Sequence, residues 1–329
     1  MQLYINQPGC SLRLREGVLT VRPPAHEGEE QRIPFNRVER LFLNRTVHLS
    51  AEVLFAAAEL DIDVVFTDRN GQPVARLWSN RFGSIATIRK QQLLFCQSHV
   101  SLDWVQQLLA DKMDTQVALL GMLEHLDRSN ETIILQTINR IFTAKARIRT
   151  VAGNTLADAA ASLRAAEASA SKAYWRCVSE CLPRQYRFDA RSQHPARDMF
   201  NAMLNYAYGM LYSKVESALI KAGVDPFIGI FHSDGHNRPA LVFDVIERFR
   251  YWVDYVVIHL CRQEVIFLEF FDVQDGTFWL NEHGKRILIQ TVNDYFEEVT
   301  PWNALERSRN THIELYAHNL ATMFKTWKE

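Results

Sequence analysis

Apolar positions recur every second residue in short runs from the N-terminus to about residue 85. QLYIN, SLRLREGVLTVR, RIPFNRVERLFL, IDVVFTD and PVARLWS all carry this alternation, with β-branched and aromatic residues at many apolar places, which predicts half-buried strands. REG, PPAHEGEE and DRNG punctuate the runs, and Asn70-Gly71 accepts the positive φ angles of a tight hairpin turn. A single stretch departs from alternation. SAEVLFAAAEL repeats its apolar positions at helical spacing behind Ser50, an N-cap residue type.

From about Ile85 the period lengthens. IATIRKQQLLFCQ, LDWVQQLLADKMDTQVALLGMLEHL, NETIILQTINRIFTAKARIRTV and TLADAAASLRAAEASASKAYWRCVSECL all read as helices. RDMFNAMLNYAYGMLYSKVESALIKAG continues the pattern and stops at Gly223, a residue suited to the C′ position. Further helices are predicted at ALVFDVIERFRYWVDYVVIHLCRQ, HGKRILIQTVNDYFEEV and RNTHIELYAHNLATMFKTW. The fold class is therefore α+β, with a small N-terminal β-rich domain over 1–85 and a larger all-α domain over 86–329. The chain opens directly in the β region, so no fused polymerase or nuclease is expected ahead of it.

Composition changes this picture only in places. No window offers the roughly 18 apolar residues of a membrane span, and MQLYINQPGC lacks the basic start of a secretion signal. The five cysteines are odd in number and form no C-x-x-C pair, which points to reduced thiols and a cytoplasmic location. Cys177 and Cys181, one helical turn apart, read as buried thiols. Net charge is −1, yet between Ile138 and Phe200 eleven Lys and Arg stand against five Asp and Glu. Such a stretch suits a polyanion; it suits equally the solvated faces of helices.

The sharper question is chemical. Asp244 and Glu247 lie among Val242, Phe243, Val245, Ile246 and Phe249, and a buried carboxylate is unfavourable unless something offsets its charge. Three residues apart, they share a face of a helix that opens near Pro239, a residue suited to N1. His232, in GIFHSDG just upstream, is placed to fold back over that first turn. One nitrogen with several oxygens suits Mg²⁺ or Mn²⁺ better than a closed Zn²⁺ site. Glu167, in LRAAEASASKAYW, is the candidate for a further carboxylate, because its small neighbours let another helix approach. Taken singly, each residue has a plainer reading: a helix-forming glutamate, a hydrogen-bonded loop histidine, an Asp244 paired with Arg238 or Arg248.

Several spacings together resemble a known family. NAMLNYAYGMLYSKVESALIKAGVDPFIGIFH followed by RPALVFDVIERFRYWVD is similar to the tyrosine-rich helix, G-x-D-P-x-x-G-x-x-H loop and R-P-x-L-x-x-D-x-x-E-x-F-R helix of the CRISPR-associated integrase–endonucleases, which insert new spacers into CRISPR arrays. Arg164, Glu167, Ala170 and Tyr174 fit that family's glutamate helix, with Ala165 and Ala168 where glycines are common. Lys112 and Gln116 in LLADKMDTQVALL resemble its lysine–glutamine helix, and the β-rich start resembles its N-terminal domain, so the likeness runs from Leu3 to about Leu320.

The resemblance implies a metal-dependent DNA endonuclease and strand transferase. In it Glu167, His232 and Glu247 are catalytic and bind one Mg²⁺ or Mn²⁺, with Asp244 in support. Tyr174 and Tyr212 are candidates for the DNA path, each with the plainer reading of a packed helical tyrosine. It implies a homodimer paired through the β domains, a small ferredoxin-like companion subunit, and double-stranded or branched DNA as substrate, with no membrane. A DNA-binding architectural subunit with purely structural acids is the alternative. A small-nucleotide phosphohydrolase would need a second histidine cluster, and beside His236 no His-Asp pair appears.

Overall fold

The computed structural model describes residues 1–24, 28–68, 73–77, 84–126, 128–233, 235–236, 238–302 and 304–328. The chain divides into two compact units, Met1–Gly83 and Ser84–Glu329.

The first unit carries β1 (Gln2–Ile5), β2 (Ser11–Arg15), β3 (Val18–Arg22), β4 (Gln31–Pro34), β5 (Arg40–Asn44), β6 (His48–Leu49), helix α1 (Ala51–Glu59), β7 (Asp63–Thr67) and β8 (Pro73–Arg76). They form two four-stranded sheets, ordered β1-β5-β7-β8 and β4-β3-β2-β6. In the first, β1, β5 and β7 run parallel and β8 antiparallel. The REG signal becomes a two-residue turn between β2 and β3, in which Glu16 (φ 50°) and Gly17 (φ 74°) are both left-handed. Leu12 and Leu14 on β2 and Leu19 and Val21 on β3 all point inward, as alternation requires. Each buried leucine contributes about 1.5–3 kcal/mol by leaving water. Ser50 stands at the N-cap of α1, but its side chain makes no cap hydrogen bond. The turn expected at Asn70-Gly71 lies outside the described residues.

The second unit contains α2 (Ile85–Gln97), α3 (Val100–Leu126), α4 (Glu131–Thr150), α5 (Leu156–Glu180), α6 (Met199–Lys221), α7 (Ala240–Ile246), α8 (Arg250–Arg262), β9 (Phe271–Gln274), β10 (Thr277–Leu280), α9 (Glu282–Glu297), β11 (Val299–Trp302), β12 (Leu305–Ser308) and α10 (Arg309–Thr326). Thr155 and Asp158 close a capping box at the start of α5, and Asp198 caps α6, which ends before a left-handed Gly223. The core is mostly aliphatic, and its largest fully buried side chains include the rings of Tyr174, Tyr186, Phe200, Phe249, Phe296 and Phe324. No described helix is long and apolar enough to cross a membrane.

The second unit is mostly helical, as expected, with two local departures. β9–β10 and β11–β12 are hairpins, the first turning at Asp275-Gly276 with both φ angles positive. Each strand is only four residues long, so the helical periods on either side mask it. The helix predicted over 240–263 is also interrupted. After α7 the backbone tightens into bonds three residues apart, from Glu247 N to Asp244 O, Arg248 N to Val245 O and Phe249 N to Ile246 O. Pro239 occupies the N-cap of α7 rather than N1.

Candidate metal centre and the cavity beside it

The loop before α7 is held in place first. Gln92, buried on α2, donates from Nε2 to the carbonyls of Asp225 (2.8 Å) and Ile228 (3.0 Å), and its Oε1 accepts from Asp225 N–H (3.0 Å). At Gly229 the chain doubles back so tightly that a Cβ would lie 2.3 Å from the His232 carbonyl oxygen and 2.6 Å from Ala240 Cβ. Only glycine permits that approach. From α5, Arg164 donates to the Phe231 carbonyl at 3.1 Å and stacks over the Phe231 ring. Thus the arginine of R-x-x-E pins the histidine loop to the helix that carries Glu167.

Asp244 has no solvent exposure, and its charge is answered by the chain itself. The backbone N–H groups of Ile230 (2.7 Å), Phe231 (3.1 Å) and His232 (2.9 Å) donate to its two oxygens. His232 Nδ1 lies 2.7 Å from Asp244 Oδ1. An ionised carboxylate only accepts, so Nδ1 carries the proton, and Nε2 of the neutral ring keeps its lone pair. Asp244 is an orienting residue. The expected pairings with Arg238 or Arg248 are replaced, since Arg248 donates to Asp111 at 2.5 Å and Arg238 stacks over Phe243.

Glu167 and Glu247 converge on one position, held by a lysine. Lys112 Nζ on α3 lies 2.5 Å from Glu167 Oε1 and 2.7 Å from Glu247 Oε2. Ser171 donates to Glu167 Oε1 at 2.8 Å, and Arg250 pairs with Glu247 Oε1 at 2.9 Å. Burial opposes the charge on Lys112, but Glu247 and then Glu167 outweigh it, and the ammonium is held above the ordinary lysine range. Burial likewise opposes ionisation of Glu247, yet Arg250 and Lys112, with a smaller contribution from His232, keep it below the usual carboxylate range. The contact between Lys112 and Glu247 Oε2 is an ion pair without hydrogen-bond alignment, so this buried oxygen has no hydrogen-bond partner.

A cavity of about 540 Å³ opens beside this position. Its wall includes Lys112, Gln116, Glu167 and Glu247, with Lys172, Arg176, Arg191 and Arg250 as further cations and Trp175, Tyr208 and Tyr251 as aromatic surfaces. At its edge Asp254 accepts from Tyr208 (2.5 Å) and Tyr174 (3.0 Å). Burial pushes Asp254 up to about 6, against the hydrogen bonds from the two phenols and the charges of Arg250 and Arg191.

The candidate residues thus fall into different settings. Glu167 and Glu247 meet through Lys112, and His232 lies near enough to Glu247 that a protonated ring would favour its ionised form. Among the described residues, however, no three His, Cys, Asp or Glu side chains gather tightly enough to hold a metal as they stand. Tyr174 does not border the cavity. It is fully buried, and its hydroxyl is committed to Asp254, which corrects its expected place on a DNA path. Tyr212 is half-buried, accepting from Arg250 at 3.2 Å and packing edge-on against Phe243. Sequence reasoning missed Arg250, Asp254 and Ser171 altogether. It quoted Lys112 and Gln116 without assigning them a contact.

The chain matches the family model for CRISPR associated protein Cas1 over residues 3–294. It belongs to the Cas1 family. A CRISPR-associated endonuclease Cas1 of Archaeoglobus fulgidus is 25% identical, aligned over 99% of this chain and 96% of its own length. One from Pyrobaculum aerophilum is 30% identical over 79% of this chain and 82% of its own. The fold resembles a casposase bound to integration product (TM-score 0.80, 19% identity, 100% of this chain and 91% of that one). It also resembles a Cas1 protein from Thermotoga maritima (TM-score 0.77, 18% identity, 99% and 97%). A Cas6-RT-Cas1–Cas2 complex contains a chain with the same fold (TM-score 0.76, 20% identity), of which this chain covers 36%. Relatives in this family carry the name CRISPR-associated endonuclease, and nucleases of the family are in general metal-dependent.

Proposed function

We propose that Glu167, His232 and Glu247 hold one Mg²⁺ or Mn²⁺, and that the centre transfers a prespacer 3′ end into repeat DNA. The observation that carries this reading is the convergence of two carboxylates from separate helices on a single cation position at the wall of a basic cavity. The donor set fits a hard dication: two carboxylates, one imidazole nitrogen, and a buried Glu247 oxygen that the ammonium leaves without a hydrogen bond. A dication bound there supplies Lewis-acid polarisation of the scissile phosphate and offsets charge on the departing oxygen.

The remaining work belongs to the chain. Asp244 fixes the His232 tautomer, so that Nε2 is presented without adding negative charge near an anionic substrate. Lys172, Arg176 and Arg191 line the cavity as partners for backbone phosphates, and Arg250 is steadied by Glu247 and Tyr212. The prespacer 3′-hydroxyl bonds to phosphorus as the old 3′ oxygen leaves and takes up a proton. One phosphodiester replaces another, and no external energy source is needed. Water in place of the hydroxyl turns the same site into a nuclease for branched DNA. The β-rich unit is the proposed dimerisation element, and the proposed companion is a small ferredoxin-like subunit; a chain of similar fold occurs in a Cas6-RT-Cas1–Cas2 complex.

The test is strand transfer into a supercoiled, repeat-bearing plasmid. Mn²⁺ or Mg²⁺ supports product formation, EDTA abolishes it, and His232→Ala gives none while still binding DNA. Product in excess chelator, or full activity of His232→Ala, would refute the reading. DNA binding with no strand transfer under any metal would favour the architectural alternative.

A further inference from the structure

Lys112 is an unusual occupant for such a position. It is about nine-tenths buried on α3, and its ammonium touches both carboxylates proposed as metal ligands. Two like-charged groups do not share one seat: a dication on Glu167 and Glu247 requires the ammonium to leave. A second, independent feature gives it a destination. Gln116 stands one helical turn further along α3, on the same face, and lines the same cavity. It is buried, and its Oε1 has no hydrogen-bond partner. A buried amide oxygen without a donor is unfavourable, and an ammonium four residues away is the donor type that would satisfy it.

We propose that Lys112 is a resident cation with two stations: it bridges Glu167 and Glu247 while the metal is absent, and moves to Gln116 Oε1 in the cavity when a divalent ion takes the seat. This rests on the reading of Glu167, His232 and Glu247 as a metal centre. In the metal-free protein the bridge keeps two acids charged, close together and compensated, so the centre is built before metal arrives. At the second station the same ammonium faces the cavity, where it adds a positive charge beside any phosphate bound there. The lysine weakens apparent metal affinity by the fraction of time it occupies the seat.

Calorimetric titration of Mn²⁺ into the metal-free protein tests this without any turnover. Lys112→Met vacates the seat, and Mn²⁺ should bind about tenfold more tightly or better. Lys112→Arg keeps the charge but grips both carboxylates with a planar fork, so Mn²⁺ should bind more weakly than to the parent. Gln116→Leu removes the second station, and binding should weaken several-fold. In EDTA, Lys112→Met should melt below the parent and should regain the difference on adding Mn²⁺. If Lys112→Met does not fold, Lys112→Arg and Gln116→Leu still decide the matter. Parental Mn²⁺ affinity in the folded variants overturns the two-station lysine while leaving the metal centre intact. Absence of Mn²⁺ binding by the parent, or binding equal in His232→Ala, overturns the centre itself.

Discussion

Asp244 and Glu247 stand three residues apart at the end of one short helix, both buried, and their charges are met in opposite ways. Asp244 is surrounded by donors that belong to the backbone, three successive amides that move only if the loop unfolds. Glu247 is met by the ends of two long side chains, Lys112 and Arg250. Fixed dipoles compensate a charge permanently and leave no room for an exchange of partners. Flexible cations compensate it provisionally. The first arrangement makes a foundation and the second makes a place where a ligand can be received.

The largest test of this contrast is loss of the receiving groups. Glu167→Ala or Glu247→Ala should reduce strand transfer by roughly 10³-fold or more, since a metal-held transition state loses several kcal/mol. Circular dichroism and DNA binding should stay near parental, and residual activity within tenfold would erase the distinction. Asp244→Ala attacks the foundation, and its main effect is on stability. It orphans up to three buried N–H groups, so about 3–5 kcal/mol of unfolding free energy should disappear in urea titrations. The milder Asp244→Asn should fold and lower Mn²⁺ affinity by about 10–100-fold, because the imidazole loses its charged anchor.

Asp254 offers an intermediate case, a buried carboxylate met by two neutral phenols. Its folded value of about 6 lies above the ordinary 3.8, so the folded state holds the proton more tightly than the unfolded chain. Stability from this group is therefore fully present below pH 3.8 and is lost as pH rises through 6. Between pH 7 and pH 5 it should return about 1–2 kcal/mol. Chemical denaturation across that range should record the gain in the parent and a flatter profile in Asp254→Asn. Smallest of all, Ser171→Ala removes one hydrogen bond to Glu167, worth about 1 kcal/mol or less at this partly exposed group, and should weaken Mn²⁺ binding only a few-fold.

Much of the foundation was legible in the sequence, and much of the receiving site was not. Glycine at 229, proline at 239 and the acid at 244 are residues whose local geometry has few solutions, so the fold-back of His232 followed from the order of residue types. Glu167 stood out because small neighbours surround it. Lys112 and Gln116 did not, since lysine and glutamine on an amphipathic helix look the same whether they face water or a cavity. Tyr174 was assigned outward because its real partner, Asp254, lies 80 residues away. The interruption after Ile246 carries neither glycine nor proline, and tertiary contacts rather than propensity end that helix.

Gln92 fastens a loop 133 residues further along the chain. Lys112, Arg164 and Glu167 come from elements that lie between those two points. No stretch shorter than the one from Gln92 to Arg250 therefore contains all of these parts and the Glu247–Arg250 pair. A chain still emerging from the ribosome lacks part of the proposed centre until the segment through Arg250 has been made and the Gln92 clasp has closed on its loop.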